Sequence, residues 1–117
     1  MFHDADIQKW IEQHGVATSF TFMAYGKLTH DEVDLLIKGL LVQLGDFDDT
    51  KMAVFFDEVT EEQAVAWNIY RGTSITFVFA GDELLIEEII KTIICDGLEY
   101  LRYKAEYISS HRSVSHV

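Results

Sequence analysis

The chain contains no proline and a single cysteine, Cys95. Average usage would put about six prolines in a chain of this length, so polyproline spacers and long irregular loops are not expected. A lone cysteine excludes an internal disulfide and any zinc site built from cysteines, and it fits a reducing compartment. Bases are scarce as well: nine Lys and Arg face twenty Asp and Glu, a formal net charge of −11 in 117 residues. A surface of that sign repels phosphates, so direct binding to nucleic acid or to an anionic membrane is not expected. No long apolar run is present either. The richest stretch, "LLIEEIIKTII", is interrupted by Glu87, Glu88 and Lys91 and is too short to span a bilayer. The opening "MFHDADIQKW" shows neither the basic start nor the apolar centre of a secretory signal. These absences point to a cytoplasmic protein.

What is present is an ordinary globular composition, 49% apolar and 25% charged, which supports one compact domain over 1–110 and a flexible polar tail over 111–117. Residues 4–14 read as a short helix with Ile7, Trp10 and Ile11 on one side, stopped by Gly15. "VATSFTFMAY" (16–25) alternates, Phe20 and Phe22 opposing Ser19 and Thr21, the pattern of a half-buried strand. Thr29 and Glu32 have capping-box spacing, and Val33, Leu36, Ile37, Leu40, Leu41 and Leu44 then follow helical periodicity up to Gly45. "KMAVFF" (51–56) reads as a buried strand, and a second capping box, Thr60 with Gln63, opens a short helix closed by Gly72. "TSITFVFA" (73–80) is a third strand, with Ile75, Phe77 and Phe79 facing together. From Asp82 to about Ser110 the spacing predicts one long helix of about 40 Å, with Leu85, Ile89, Ile93, Tyr100 and Tyr107 along its apolar arc. Such a rod exceeds the width of a small domain, so either Asp96-Gly97 bends it or its far half packs on a second copy.

The fold class expected is α+β: a small three- to four-stranded sheet against three to four helices, with the long helix at the C-terminal end. Three strands make a modest sheet, which argues mildly for association or for an additional strand. A ferredoxin-like arrangement is the alternative and would require part of 60–72 to be hairpin rather than helix.

No motif carries catalysis. Asp46, Asp48, Thr50 and Asp57 fall at positions 1, 3, 5 and 12 of a calcium loop, but Lys51 occupies the position that needs glycine and an apolar run follows it. The five histidines, His3, His14, His30, His111 and His116, include no HExxH and no paired ligands on a helix. Cys95 adjoins Asp96, whose charge opposes thiolate formation. There is no phosphate-binding glycine loop and no nucleophile elbow. Neither a metal nor a cofactor is expected, and the chain reads as a non-enzyme. Trp10 and Trp67 are assigned to the core, as are the strand phenylalanines.

The remaining signal is where the charge sits. Residues 28–90 hold fourteen of the twenty acids and three of the nine bases, the whole of the net charge. Acids in first helical turns are favoured by the helix dipole, which accounts for about half of them. The scarcity of offsetting bases is not explained that way, because like charges repel and ordinary surfaces mix both signs. A row of carboxylates one helical turn apart suits Lys and Arg side chains placed for phosphates. The leading expectation is therefore an acidic protein that docks on a basic, nucleic-acid-binding surface of a partner and inhibits it by phosphate mimicry. Small acidic inhibitors of nucleases and of phage-defence complexes share this general look, a likeness of class rather than of motif. The candidate docking residues are Asp46, Asp48, Asp49, Asp57, Glu58, Glu61 and Glu62, with Asp31, Glu32 and Asp34 as a second patch. A second expectation is a homodimeric adaptor subunit joined through Leu85, Ile89, Ile93, Tyr100 and Tyr107. A third, a small enzyme or ligand-binding domain, would need a pocket that gathers His14, His30 or Cys95 with carboxylates.

Overall fold

The computed structural model describes residues 9, 12–13, 15–45, 51–80 and 87–114. The expected helix over 4–14, with Ile7, Trp10 and Ile11, falls largely outside them, as do Asp46, Asp48, Asp49, Leu85 and residues 115–117. The alternating Val16–Ala24 forms β1. Its even positions Phe20 and Phe22, at most 1% exposed, point to the same side as Ile75, Phe77 and Phe79 of β3, Thr73–Ala80. Edge-to-face ring pairs lock the two strands, Phe20 with Phe79 at 5.8 Å and Phe22 with Phe77 at 6.1 Å. Burying each such side chain contributes about 1.5–3 kcal/mol.

Both capping boxes form. Thr29 Oγ1 accepts from the Glu32 amide at 3.2 Å while Glu32 Oε1 accepts from the Thr29 amide at 3.0 Å, opening α1, His30–Leu44. Val33, Leu36 and Leu40 are its buried positions, spaced for one helical face. Gly45, at φ 66°, ends it. After β2, Met52–Glu58, the reciprocal bonds of Thr60 and Gln63 start the short α2, Glu61–Trp67. Asn68 closes it in the left-handed conformation, which asparagine adopts at less cost than most residues.

The sheet order is β2-β3-β1-β4 and every neighbouring pair is antiparallel. The units β1–α1–β2 and β3–α3–β4 are thus interleaved, each with its strands separated by one strand of the other. Val33, Leu36 and Leu40 of α1 and Ile90, Ile94 and Leu98 of α3, Glu87–Tyr100, share one core with the strand phenylalanines. On the opposite face Ala17, Ser74, Thr76 and Val78 are buried, and the Thr21 and Thr76 hydroxyls share a hydrogen bond at 3.0 Å.

The single long helix over 82–110 is corrected. The helix ends at Tyr100 and residues Ala105–Val114 form β4, the fourth strand of the sheet. A Schellman turn makes the break: the Tyr103 amide donates to the Leu98 carbonyl at 2.9 Å and the Arg102 amide to the Glu99 carbonyl at 2.8 Å. Arg102 holds the left-handed position at φ 70°, where glycine is usual. The expected tail is shortened accordingly, since His111–Val114 belong to β4 and pair with β1 as far as Val16. The helix over 60–72 did not have to give way to a hairpin for the strands to interleave; α2 sits within the β2–β3 connection, whose base is closed by the Val59 amide on the Gly72 carbonyl at 2.9 Å.

Candidate functional site

Antiparallel register brings four strand ends together. Glu58 pairs with Thr73, Thr73 with Ala24, and Ala24 with Ala105. The ends of β2 and β1 and the starts of β3 and β4 therefore form one row across the sheet. The first turn of α1 follows β1 at this end, and α2 follows β2. Asp31, Glu32, Asp34, Asp57, Glu58, Glu61 and Glu62 consequently gather at the same end of the molecule. In residues 25–34 and 57–72 they are offset only by Lys27 and Arg71.

Asp46, Asp48 and Asp49 lie outside the described residues, and the flanking Gly45 and Lys51 stand at the opposite ends of α1 and β2. A helix of 15 residues spans about 22 Å, so the bracketing residues are about that far from the Asp31 cluster. Glu32 is also set apart, because its carboxylate is already engaged. Oε1 accepts from the Thr29 amide at 3.0 Å and from Thr29 Oγ1 at 3.1 Å, and it lies 2.7 Å from the Tyr103 hydroxyl. Asp57 Oδ1 accepts from the Glu58 amide at 2.8 Å. Asp31, Asp34, Glu58, Glu61 and Glu62 are exposed.

The strand order also sorts charge. Arg102 and Lys104 precede β4, and Arg112 lies within it, at the sheet edge away from β2. Three strand spacings separate those edges, about 14 Å. Lys104 sits over the Tyr25 ring at 5.3 Å, and Lys91 pairs with Glu88 at 3.3 Å and covers the Tyr107 ring at 4.3 Å. Lys27, Arg71, Arg102 and Lys104 form no ion pair with the described carboxylates.

The acids border a feature that the sequence reading did not single out. Tyr70 is 94% exposed and Val65 is 83% exposed, both in the β2–β3 excursion that begins with Glu61 and Glu62. Tyrosine exposed beside charged groups is a frequent anchor of protein interfaces. Its clue in the sequence was its place just past the asparagine that ends α2, where no helical face remains to bury it. Trp67, assigned to the core, is half-buried.

A shallow depression of about 450 Å³ at this end is bordered by Lys27, Thr29, His30, Phe56, Asp57 and Glu58. The His30 ring packs edge-on against Phe56 at 5.0 Å, so one histidine does meet two carboxylates there. Among the described residues no three His, Cys, Asp or Glu side chains gather to hold a metal ion. Cys95 is half-buried, and its thiol is pushed up first by burial and then by the Asp96 charge, both of which disfavour the thiolate.

The proposed dimer stripe is divided. Tyr107 is on β4, not on the helix; its ring packs on Phe22 at 5.6 Å and its hydroxyl donates to Glu87. Ile89, 50% exposed, and Tyr100, 87% exposed, remain on the outer side of α3 with the half-buried Ile93.

Two phenol–carboxylate contacts tie helix ends to this frame. The single Tyr103 proton is offered to Glu32 Oε1 and, at 2.9 Å, to the Lys27 carbonyl. Tyr107 and Ser110 both donate to Glu87, the latter at 2.9 Å. The Tyr103 hydroxyl is the main cause that holds Glu32 below its ordinary 4.5, and the Tyr107 hydroxyl does the same for Glu87. Both phenols are raised, Tyr103 chiefly by its bond to Glu32 and Tyr107 chiefly by burial. A carboxylate lowered on folding stabilises the native state above its unfolded value, and that contribution disappears as pH falls through the folded value. A raised phenol contributes below its unfolded value of 10.0 and loses the contribution as pH climbs through the folded one. In denaturant melts across pH, the Glu32→Gln/Glu87→Gln variant should therefore lose less stability than the parent below pH 4.5. Equal acid-side slopes would refute the two contacts as linked groups.

Compared with known proteins, the chain matches no family model, no curated protein and no solved structure.

Proposed function

We propose that the chain is a non-enzymatic acidic binding protein that docks the β2 end of its sheet on a basic surface of a partner protein, in the manner of a phosphate mimic. A nucleic-acid channel is the surface that suits it best, which would make the protein an inhibitor of the phage anti-defence type. The observation that carries this reading is the gathering of charge: seven carboxylates meet at one end of the sheet, where residues 25–34 and 57–72 offset them only with Lys27 and Arg71, while Arg102 and Lys104 stand on the β4 side of that end. Asp34, Glu58, Glu61 and Glu62 supply the exposed charge, Asp31 extends it along α1, and Tyr70 and Val65 offer apolar area beside it. The interleaved βαβ units support a ferredoxin-like arrangement as the scaffold, with α2 as the excursion that bears the anchor. A cytoplasmic site of action fits the lone cysteine, and among the described residues no helix is long and apolar enough to cross a membrane.

Steering by such a field speeds association and makes it sensitive to salt. Immobilised protein should capture from host lysate a Lys- and Arg-rich partner that elutes as salt is raised. The Asp34→Lys/Glu58→Lys/Glu61→Lys/Glu62→Lys variant, folded by circular dichroism, should lose that partner, with the association rate falling by about 10-fold or more. Capture of the same partner at undiminished rate by the quadruple variant ends the proposal.

A further inference from the structure

A second surface lies on the helical layer, running along α1 and α3 from the acidic end. The Glu32–Tyr103 contact joins the start of α1 to the turn after α3, so the two helices run in opposite directions. Between them runs an open apolar groove of about 450 Å³. Leu35, Gly39, Ile93 and Tyr100 border it; Leu35 is 55% exposed and Tyr100 is 87% exposed. The floor is set where the helices come closest: a methyl group on Gly97 would stand 2.7 Å from Leu36 Cδ2. Gly39 is the contrary case, because a side chain added there meets no atom within 4 Å. Gly39 is exposed, so the groove is open at that point.

Charge decides what fills it. The helices carry Asp31, Glu32 and Asp34, and Glu87, Glu88, Asp96 and Glu99, against Lys38 and Lys91. Asp96 borders the groove itself. Asp31 stands one turn before Leu35, which places it along the α1 rim. Lys91 is occupied by Glu88 and the Tyr107 ring. A second copy laid on this layer would bring acid against acid, which repels. We infer that the groove between α1 and α3 receives a cationic amphipathic helix of a partner protein, with apolar side chains over Gly39 and Lys or Arg along the acidic rims. That is the groove mode of helix recognition, read by anchors at i, i+3, i+4 and i+7. The inference stands independently of the docking role assigned to the sheet end.

The test uses a fluorescent peptide of about 14 residues, which as a helix matches the length of α3. Leucines occupy the anchor positions, and lysines and alanines fill the rest. A second peptide carries glutamate in place of lysine. Gly39→Leu fills the groove and improves helix propensity, and Tyr100→Ala removes an exposed wall, so both variants should melt close to the parent. The basic peptide should bind the parent in anisotropy titrations, and each variant should weaken it by about 10-fold or more, while the acidic peptide fails to bind. Equal binding of the basic peptide by parent and Gly39→Leu would locate the attraction elsewhere and overturn the inference. So would a parent that binds neither peptide. A parent that sediments as a dimer while Gly39→Leu sediments as a monomer would assign the groove to a second copy and overturn it too.

Discussion

Phe77→Ala should cost about 3–5 kcal/mol of folding stability, a large share of the roughly 5–15 kcal/mol available to an ordinary domain. Phe77 is 0% exposed in β3, one strand in from the β2 edge. Its ring meets Phe22 edge to face, and the same core takes Leu40 from α1 and Ile94 from α3. Truncation therefore removes the transfer free energy of the ring and leaves a cavity among elements that cannot all move in together. Urea unfolding followed by circular dichroism gives the number. A midpoint lowered by the equivalent of less than about 1 kcal/mol would mean that Phe77 is not enclosed, because so small a loss is typical of exposed sites.

Ending the chain after Lys104 should do still more. β4 pairs with β1 along nine positions, from Val16 opposite Val114 to Ala24 opposite Ala105. Its removal leaves β1 with an open edge, a template for pairing with other molecules, and it uncovers Phe22, against which Tyr107 packs. It also removes the hydroxyls that Tyr107 and Ser110 give to Glu87 at the start of α3. The shortened chain should show no cooperative urea transition and should scatter light at concentrations where the parent stays clear. A shortened chain that unfolds cooperatively near the parent midpoint would return residues 105–114 to the role of a dispensable tail.

That strand is where reading the sequence fell short, and the cause is local. Ser109 pairs with Thr21 and Tyr107 with Phe22, so Ile108 is an extra residue in a bulge. Ala105 and Tyr107 face the helices before it, and Ser110 and Arg112 face them after it. A bulge breaks the two-residue period from which strands are recognised, and "SSHR" supplies no apolar alternation in its place. The helix before it ended without a glycine, since Arg102 takes the left-handed turn. With neither a stop nor a new period, the helical pattern read straight through. Elsewhere the signals were physical and local, and the elements formed where they stood: Thr29 with Glu32, Thr60 with Gln63, and Ile75, Phe77 and Phe79 on one face.

The candidate docking residues were legible as types and not as a place. Which acids meet depends on strand pairing between residues far apart in the chain. That pairing sets Glu58 at the same end as Asp31 and leaves Gly45 and Lys51 at the other. Glu32 carries a charge that is already spent on a cap and a phenol, and only coordinates reveal such a prior engagement.

Because β1 lies between β3 and β4, the earliest of the four strands to leave the ribosome is the one that waits longest for its second neighbour. Until residues 105–114 emerge, one flank of β1 has no partner, and the nascent chain must be kept from joining its neighbours on the polysome. Synthesis, for this topology, is the interval of greatest exposure.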